Sequence, residues 1–326
     1  MDILRRILGA RTTTLVLTIL VISAGLTILT KGKFLDRTII VAMLIGMTYD
    51  LLMAMGMTLV LILGGIDLSV GSVLGLAGVA FTMLLSKHQP YVEHLGPYPV
   101  PVVILAGLGV AALCGVLSGV SVTKLKIAPF IVTLGMMAIC RGLATVWTSG
   151  WYISGLPDPY VAIGRNTFLE IPYPVYFAVI ILIIYSYLLR QWKPLNQSFY
   201  VGHNPAAAAL SGLKVALITG VGYVVSAVLS GLAGLFMTSH LAMGFFQFGQ
   251  GGELNAIAAA VIGGASFAGG SGSLVGTFLA TLLIAIINTG FILLRGDPNW
   301  KLLIQGLIVF VAIAVDAYRR RKEIRE

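Results

Sequence analysis

The chain has 326 residues, of which 58% are hydrophobic and only 10% are charged, whereas a soluble domain carries about 25% charged residues. Its mean hydropathy is +0.99, and apolar runs long enough to cross a bilayer recur from end to end. Strand-like alternation is absent, which disfavours an outer-membrane barrel and favours helices packed on helices. The formal charge of +9 does not indicate a nucleic-acid partner, because the basic residues stand at the ends of apolar segments rather than in one patch.

About ten segments have the length and composition of membrane spans. They are 12–30, 38–63, 70–86, 101–122, 130–149, 173–190, 215–238, 254–268, 273–292 and 299–317. The third and the eighth are short and rich in glycine. Basic clusters at 5–11 and 319–325 flank the first and last segments, so both termini are predicted to be cytoplasmic. The sequence therefore predicts an all-α polytopic membrane protein with about ten transmembrane helices in one domain, 1–326.

Two charged side chains fall inside predicted spans. Asp50 lies near the middle of the second span and Arg141 lies within the fifth. Intramembrane charges are functional candidates because burying them is costly. A charge pair or polar anchor inside the bundle is the plainer interpretation, and proton coupling through Asp50 is the alternative. Cys114 and Cys140 are predicted to be packed free thiols.

Two glycine-rich breaks interrupt the apolar pattern. The first ends the second span, and its candidate gate or turn residues are Gly64, Gly65, Asp67, Ser69 and Gly71. The paired glycines break the helix, Asp67 or Ser69 is expected to cap the next one, and the turn is expected near the inner face. The second break, 250–255, places Glu253 at a helix start, where its charge is favourable. The aromatic loop 244–248 before it is either an interfacial belt or a mouth that meets a delivered ligand.

The stretch 198–214 is too short and too mixed to cross a bilayer, yet it carries helix signals. Asn204 is a good N-cap, Pro205 suits the first helical position, and Gly212 is a natural C′ residue. We predict a short helix outside the membrane, with Ala207, Leu210 and Ser211 on one face as a contact for another protein.

No catalytic residue and no metal site is predicted. The chain has no phosphate-binding loop, no paired His/Glu motif and no nucleophile elbow. If transport here uses ATP, the hydrolysing subunit is therefore expected to be another chain.

Four stretches together resemble a known family. They are GMTLVLILGGIDLSVGSVLGLAG (56–78), VTLGMMAICRGLATVWTSG (132–150), VGHNPAAAALSGLKV (201–215) and AVIGGASFAGGSGSLVGTFLATLL (260–283). Their order and content resemble the membrane permease subunit of ribose-type ABC sugar importers, the second carbohydrate-uptake class. The resemblance covers essentially the whole chain.

The resemblance implies a multi-pass protein of the bacterial inner (cytoplasmic) membrane that translocates a neutral monosaccharide. It implies four kinds of partner: a cytoplasmic ABC ATPase, a periplasmic sugar-binding protein, a second permease copy or paralogue, and membrane lipid. The chain itself is expected to bind no cofactor, with ATP on the partner subunit, and not to be an enzyme.

The cytoplasmic segment 191–214 is here called the coupling segment, and the resemblance implies that its part 198–214 inserts into a groove on the ATPase. Its implied ATPase-coupling residues are Gly202, Asn204, Pro205, Ala208, Leu210, Ser211 and Gly212. His203 and Asp50 depart from the family pattern. Two alternatives remain open: a permease for another small solute (a branched-chain amino acid, a nucleoside or a sugar-like signal molecule), and an ion-coupled secondary transporter.

Overall fold

The computed structural model describes residues 10–86 and 97–296, together with positions 300, 303, 306, 307 and 310. The α-helices in this part of the chain are α1 (Ala10–Leu29), α2 (Arg37–Ile62), α3 (Val70–Leu85), α4 (Val100–Thr123), α5 (Pro129–Thr148), α6 (Asp158–Arg165), α7 (Tyr173–Gln191), α8 (Lys193–His203), α9 (Pro205–Leu210), α10 (Val215–Leu241), α11 (Gly252–Gly263) and α12 (Leu274–Leu293). A 3₁₀ turn, Lys33–Leu35, joins α1 to α2, and two short strands, β1 (Thr167–Phe168) and β2 (Ile171–Pro172), form an antiparallel hairpin.

Seven of these helices are long and apolar enough to cross a membrane, namely α1, α2, α4, α5, α7, α10 and α12. The chain is therefore an all-α polytopic membrane protein, as the sequence predicts. The helix bounds follow the predicted segments closely, except that α11 ends at Gly263 rather than near 268. Gly264 terminates it because this residue adopts a φ of 118°. The predicted span 299–317 and the terminal basic clusters lie outside the described residues, apart from isolated positions.

The centre of the bundle is formed by α2 and α10. These two helices pack against each other. In addition, α10 packs against α3 and α4, and α2 packs against α11 and α12. Small residues allow the close approach. A Cβ at Gly56 in α2 would lie 2.7 Å from the Cα of Ser226 in α10. Helices in lipid associate through such close packing, because the lipid chains are as apolar as the side chains.

The two shorter apolar helices, α3 and α11, begin inside the bundle. They have 16 and 12 residues, which corresponds to about 24 and 18 Å of rise against a hydrocarbon core of about 30 Å. The chain folds back after α2, so that Asp67 hydrogen-bonds Ser226, which lies opposite Gly56. Since Gly56 precedes the end of α2 by about six residues, α3 begins about 9 Å back along α2.

The first turn of α11 also lies partway along α2, because a Cβ at Gly252 would lie 2.7 Å from the Met53 methyl carbon. From these starting points partway along α2, the helices α3 and α11 run toward opposite ends of the bundle. After α3, Ser86 donates a hydrogen bond to Ser154 beside α6, whereas Gly270, after α11, bonds the last residue of α2. Each short helix thus crosses only part of the bundle, and an irregular segment rich in turns covers the rest: 63–69 before α3 and 242–251 before α11.

The bundle has two ends, about 39 Å apart along the 26 residues of α2. We call the end with α6 and the β-hairpin the hairpin end, and the opposite one the α9 end. At the hairpin end, the hydroxyl groups of Tyr160 and Thr238 lie 2.6 Å apart and Arg165 donates to the His240 carbonyl at 2.8 Å. Burial raises the pKa of Tyr160, opposed by its bond to Thr238. The connection 150–172 between α5 and α7 thus forms ordered structure at this end, with α6 and the hairpin.

Candidate functional site

The coupling segment forms two short helices, α8 and α9, and α9 has the predicted residues at its start and after its end. The Asn204 side chain accepts a hydrogen bond from the amide of Ala207 at 3.0 Å, and Pro205 is the first residue of α9. At the other end, Leu213 bonds back to Ala208 at 3.1 Å while Gly212, with a φ of 81°, bonds back to Ala209. This pair of bonds is a Schellman motif, so the six-residue helix α9 is capped at both ends.

The implied coupling residues divide between two environments. Five of them are exposed at the α9 end: Asn204, Pro205, Leu210, Ser211 and Gly212. The Leu210 side chain is 92% exposed, which is unusual for a large apolar side chain and leaves it available to a partner. Gly202 and Ala208 are instead buried against the chain itself. The predicted exposed face of Ala207, Leu210 and Ser211 is present.

Gly202 joins the coupling segment to the bundle. A Cβ here would overlap the carbonyl oxygen of Ile62 and lie 2.7 Å from the amide nitrogen of Gly270. Those two groups are hydrogen-bonded to each other at 2.8 Å. Three backbones therefore meet at one point: the end of α8, the end of α2 and the turn between α11 and α12. His203 packs at the same junction, because a Cβ at Gly270 would lie 2.9 Å from the His203 Cβ.

The candidate gate residues do not form a simple turn at the end of α2. Gly64, with a φ of 79°, stays at the α9 end beside Ala268 and Gly269, whereas the residues after it run back into the bundle. The Asp67 carboxylate, 2% exposed, accepts bonds from the amide and hydroxyl of Ser69 at 3.0 and 2.6 Å. Its second oxygen accepts the Ser226 bond from α10 at 2.8 Å. Asp67 therefore fixes the returning segment to α10, while Ser69 precedes α3 without a side-chain cap bond.

The predicted single turn at the end of α2 is therefore wrong for most of this motif: Gly64 stays at the α9 end, whereas Gly65 to Gly71 return into the bundle. Gly65 is buried beside Val60 and the Tyr223 hydroxyl, and a Cβ at Gly71 would overlap the carbonyl oxygen of Gly249. The sequence predicts a capped turn here because paired glycines break a helix and Asp67 or Ser69 can cap the next one. Here, the buried hydroxyl of Ser226 supplies a partner for Asp67 inside the bundle.

Arg141 holds the loop that enters the bundle ahead of α11. Its guanidinium donates to the carbonyl of Phe248 at 3.0 Å and also to the carbonyl of Phe246. The rings of Phe245 and Phe246 pack with centroids 4.7 Å apart. Arg141 is therefore a polar anchor, as the plainer interpretation predicted. Glu253 lies in the first turn of α11, as predicted.

A cavity of about 470 Å³ opens between α2, α12 and the start of α11. This volume lies within the range of about 300–1,000 Å³ that is typical of small-molecule sites. Its polar lining comprises Tyr49, Asp50, Gln250, Asn255, Asn288 and Thr289, and methionine side chains supply much of the apolar lining. The Asn255 amide donates to the Asp50 carboxylate at 3.3 Å. The cavity thus brings together Asp50 and the second glycine-rich break, which are far apart in the sequence.

Sequence reasoning missed three residues, Asn288 and Thr289 in the cavity and Ser226 beside Asp67. Asn288 and Thr289 line the cavity from α12, and the signal was available, because they are an adjacent polar pair inside an otherwise apolar span. Ser226 carried no signal, since a single serine in a span usually bonds its own helix. The predicted free thiols are confirmed: Cys114 and Cys140 are buried, and their sulfur atoms lie 3.6 Å apart.

Comparison with known proteins places this architecture in a family. The family model described as "Branched-chain amino acid transport system / permease component" matches residues 37–313. The ribose import permease protein of Bacillus subtilis (strain 168) is 36% identical over 287 residues, covering 87% of this chain and 86% of that protein. The ribose import permease protein of Haemophilus influenzae is 37% identical over 278 residues, covering 84% and 83%.

More distant relatives carry other solute names. The galactose/methyl galactoside import permease protein of Haemophilus influenzae is 30% identical over 315 residues, covering 94% of both chains. The autoinducer 2 import system permease protein of Shigella flexneri is 32% identical over 293 residues, covering 88% and 83%. No solved structure gives a significant match. The chain therefore belongs to the family of membrane permeases that includes the ribose import permeases. It is a multi-pass inner-membrane subunit of an ABC importer rather than an enzyme.

Proposed function

We propose that this chain is the permease of a ribose-type ABC sugar importer and conducts a neutral monosaccharide across the bacterial inner membrane. The observation that carries the proposal is the similarity along most of the chain to import permeases for ribose and for galactose. The polar lining of the cavity agrees with it, because hydroxyl and amide groups suit an uncharged solute rich in hydroxyl groups.

In this proposal the single domain, 1–326, crosses the membrane about ten times, and both termini lie in the cytoplasm. The seven long helices supply most of these crossings. Segments 63–69 with α3 and 242–251 with α11 supply two more, since irregular backbone is tolerated at membrane depth where protein surrounds it. The predicted last span, 299–317, supplies the tenth. The α9 end is then cytoplasmic, and the hairpin end faces the periplasm.

The coupling segment, 191–214, is the proposed contact for a separate cytoplasmic ABC ATPase. The exposed side of α9 enters a groove on the ATPase, with Leu210 as its apolar anchor. Gly202 and Ala208 act from the other side of the segment, because they are buried and join it to the bundle. ATP binding and hydrolysis by the partner then move α9 together with α8, whose last turn packs against the end of α2 at Gly202.

A permease of an ABC importer works with an ATPase and a substrate-binding partner. For this chain we propose a periplasmic sugar-binding protein at the hairpin end and a second permease copy or a paralogue alongside, in contact with membrane lipid and with no nucleic acid. No cofactor is expected on this chain, since ATP binds to the partner. The gate role of the segment from Gly64 to Gly71 rests on its position between α2 and α3.

A permease for an amino acid, a nucleoside or a sugar-like signal molecule shares this architecture and differs only in solute. The relative named for autoinducer 2 favours keeping the last of these as the second candidate. An ion-coupled transporter requires Asp50 to exchange a proton or a cation with solvent during each cycle, independently of any ATPase.

The test is uptake of radiolabelled ribose, galactose and leucine by proteoliposomes that contain this chain with the ATPase and binding protein that co-purify with it. We expect sugar uptake that requires ATP and is unaffected when ion gradients are collapsed. ATP-independent uptake driven by a proton or sodium gradient would refute the proposal. Uptake of leucine in preference to both sugars would refute the proposed solute.

A variant pair tests the coupling contact. Leu210→Ala removes the exposed apolar anchor, and Leu169→Ala is the matched control, since Leu169 is 78% exposed at the hairpin end. Losing a buried leucine from an interface costs about 2 kcal/mol, or more than tenfold in affinity. ATPase co-purification is expected to fall for Leu210→Ala and to stay unchanged for Leu169→Ala. Equal recovery of the ATPase with both variants would contradict the assignment.

A further inference from the structure

The cavity between α2, α11 and α12 has a carboxylate and an amide side by side within an apolar lining. Asp50 comes from α2 and Asn255 from α11, and the Asn255 nitrogen lies 3.3 Å from an Asp50 oxygen. Both residues are half-buried and line the cavity. We propose that Asp50 and Asn255 form a solute-binding subsite in the permease itself, which binds neighbouring hydroxyl groups of a neutral polyhydroxylated molecule.

This inference rests on the proposed sugar permease function and deepens it, because it assigns solute recognition to the membrane subunit as well as to a soluble binding protein. A carboxylate accepts hydrogen bonds from two hydroxyl groups at once, and such charge-assisted bonds are roughly twice as strong as neutral ones. The adjacent amide both donates and accepts. Together they match a pair of hydroxyl groups on neighbouring carbon atoms, each of which also donates and accepts.

The remaining lining fits the rest of such a molecule. Asn288 and Thr289 line the cavity from α12, and Gln250 lines it ahead of α11, so polar groups come from more than one element. Met47 and Met53 provide flexible apolar surface for the C–H faces of a sugar ring. This combination of a few placed polar groups in a mainly apolar cavity is typical of small-molecule sites.

The charges of the lining argue against other solutes. The lining residues in the described part of the chain include no lysine or arginine, so an amino acid would meet no cationic side chain for its carboxylate. No group of three or more His, Cys, Asp or Glu side chains that suits a metal ion occurs among the described residues. Among the described residues that line the cavity, Asp50 is the one acidic residue, which favours hydroxyl groups over a bound cation.

The subsite connects solute to the moving parts of the bundle. Asn255 belongs to the first turns of α11, and the turn that follows this helix bonds the end of α2 beside Gly202. A solute that bridges Asp50 and Asn255 therefore holds α2 and α11 together near the middle of the bundle. A change in the coupling segment reaches the same two helices from the α9 end.

The test measures binding of radiolabelled ribose to the full chain in lipid nanodiscs, without the soluble binding protein. Asp50→Asn keeps the side-chain shape and removes the charge, and Asn255→Leu removes the amide. Asp158→Asn is the matched control, because Asp158 is exposed at the start of α6. We expect Asp50→Asn and Asn255→Leu each to weaken binding about tenfold, the effect of one charged hydrogen bond, and Asp158→Asn to have no effect.

The complete importer provides a second readout. The ribose concentration for half-maximal uptake is expected to rise about tenfold for Asp50→Asn, whereas Asp158→Asn is expected to leave that concentration, maximal uptake and basal ATPase activity at the unmodified level. A variant that only disturbs packing would lower maximal uptake instead. If Asp50→Asn does not insert into the membrane, Thr289→Val gives the same measurement, since it removes one lining hydroxyl at nearly constant volume.

Three outcomes would overturn the inference. They are unchanged ribose binding in both Asp50→Asn and Asn255→Leu, equal displacement of ribose by leucine, and uptake that depends on a proton gradient through Asp50. ATP-driven sugar uptake by the unmodified importer together with unchanged binding in the variants would refute the subsite and leave the proposed function intact. Absence of any sugar uptake by the unmodified importer with its partners would refute the proposed function itself.

Discussion

Gly202 is the residue at which the coupling segment meets the rest of the bundle, and Gly202→Ala tests that junction with one added methyl group. The new Cβ would lie 2.7 Å from the Gly270 nitrogen and 2.8 Å from the Ile62 carbonyl carbon, and it would overlap the Ile62 carbonyl oxygen. All of these atoms are backbone atoms, so no side-chain rotation relieves the overlap. The end of α8 has to move away from α2.

The expected cost follows from two contributions. Overpacking in a well-packed interior costs about 1–3 kcal/mol. The hydrogen bond from Gly270 to Ile62, 2.8 Å long, contributes about 1 kcal/mol if the shift breaks it. The variant is therefore expected to lose about 2–4 kcal/mol of stability. Because α9 follows α8 directly, the displacement also moves the proposed ATPase contact away from α2.

Gly212→Ala is the matched control, because it adds the same methyl group in the same segment. Its Cβ would meet no atom within 4 Å, so only the φ of 81° opposes it, at a cost of about 1–2 kcal/mol. The assay compares thermal unfolding of the purified chain and the amount of sugar transported per ATP hydrolysed. Gly202→Ala is expected to lower both quantities more than Gly212→Ala. Equal stability and equal coupling in the two variants would refute the junction.

Three further substitutions test contacts inside the bundle. Arg141→Met removes the hydrogen bonds to two loop carbonyls and is expected to lower the free energy of unfolding in detergent by about 2–4 kcal/mol. Proteolysis of the loop before α11 is expected to be faster, and an unchanged proteolysis rate would contradict this role of Arg141. Ser226→Ala removes a hydrogen bond to the buried Asp67 carboxylate and is expected to lower the free energy of unfolding by about 1.5–3 kcal/mol. The control Ser230→Ala should lower it less, because the Ser230 hydroxyl bonds a carbonyl of its own helix. Equal melting temperatures of the two variants would argue against the hydrogen bond between Ser226 and Asp67. Tyr160→Phe removes one buried hydrogen bond at the hairpin end and should lower the free energy of unfolding by about 1 kcal/mol. The amount of ATPase that co-purifies should not change, because the proposed ATPase contact lies at the opposite end of the bundle. A loss of co-purifying ATPase would contradict this.

The local structure of this protein follows from its sequence because it depends on neighbours along the chain. The bounds of α9 were predictable from Asn204, Pro205 and Gly212, since a cap, a helix-starting proline and a left-handed glycine act within one helical turn. The start of α11 near Glu253 followed for the same reason. The long apolar helices were predictable from length and hydropathy alone.

The tertiary contacts were not predictable from periodicity. In a soluble helix the polar face marks the surface, but in lipid the outward and inward faces are both apolar, so the pattern does not show which side is buried. The family resemblance implied an ATPase-coupling role for Gly202, and the structure packs it against Ile62. The Asp67 motif was expected to form a turn near the inner face, and its hydrogen bond to Ser226 draws it back into the bundle.

The sequence by itself determined the class of protein, the helices and the position of the coupling segment, because these depend on composition and on short-range signals. Only the tertiary structure decided that α3 and α11 begin inside the bundle and that Asp50 lies beside Asn255 in a cavity. Those two residues are separated by 205 positions, and no short-range rule links them. Their meeting depends on how α2 and α11 pack, which is fixed by the close backbone contacts that glycine permits.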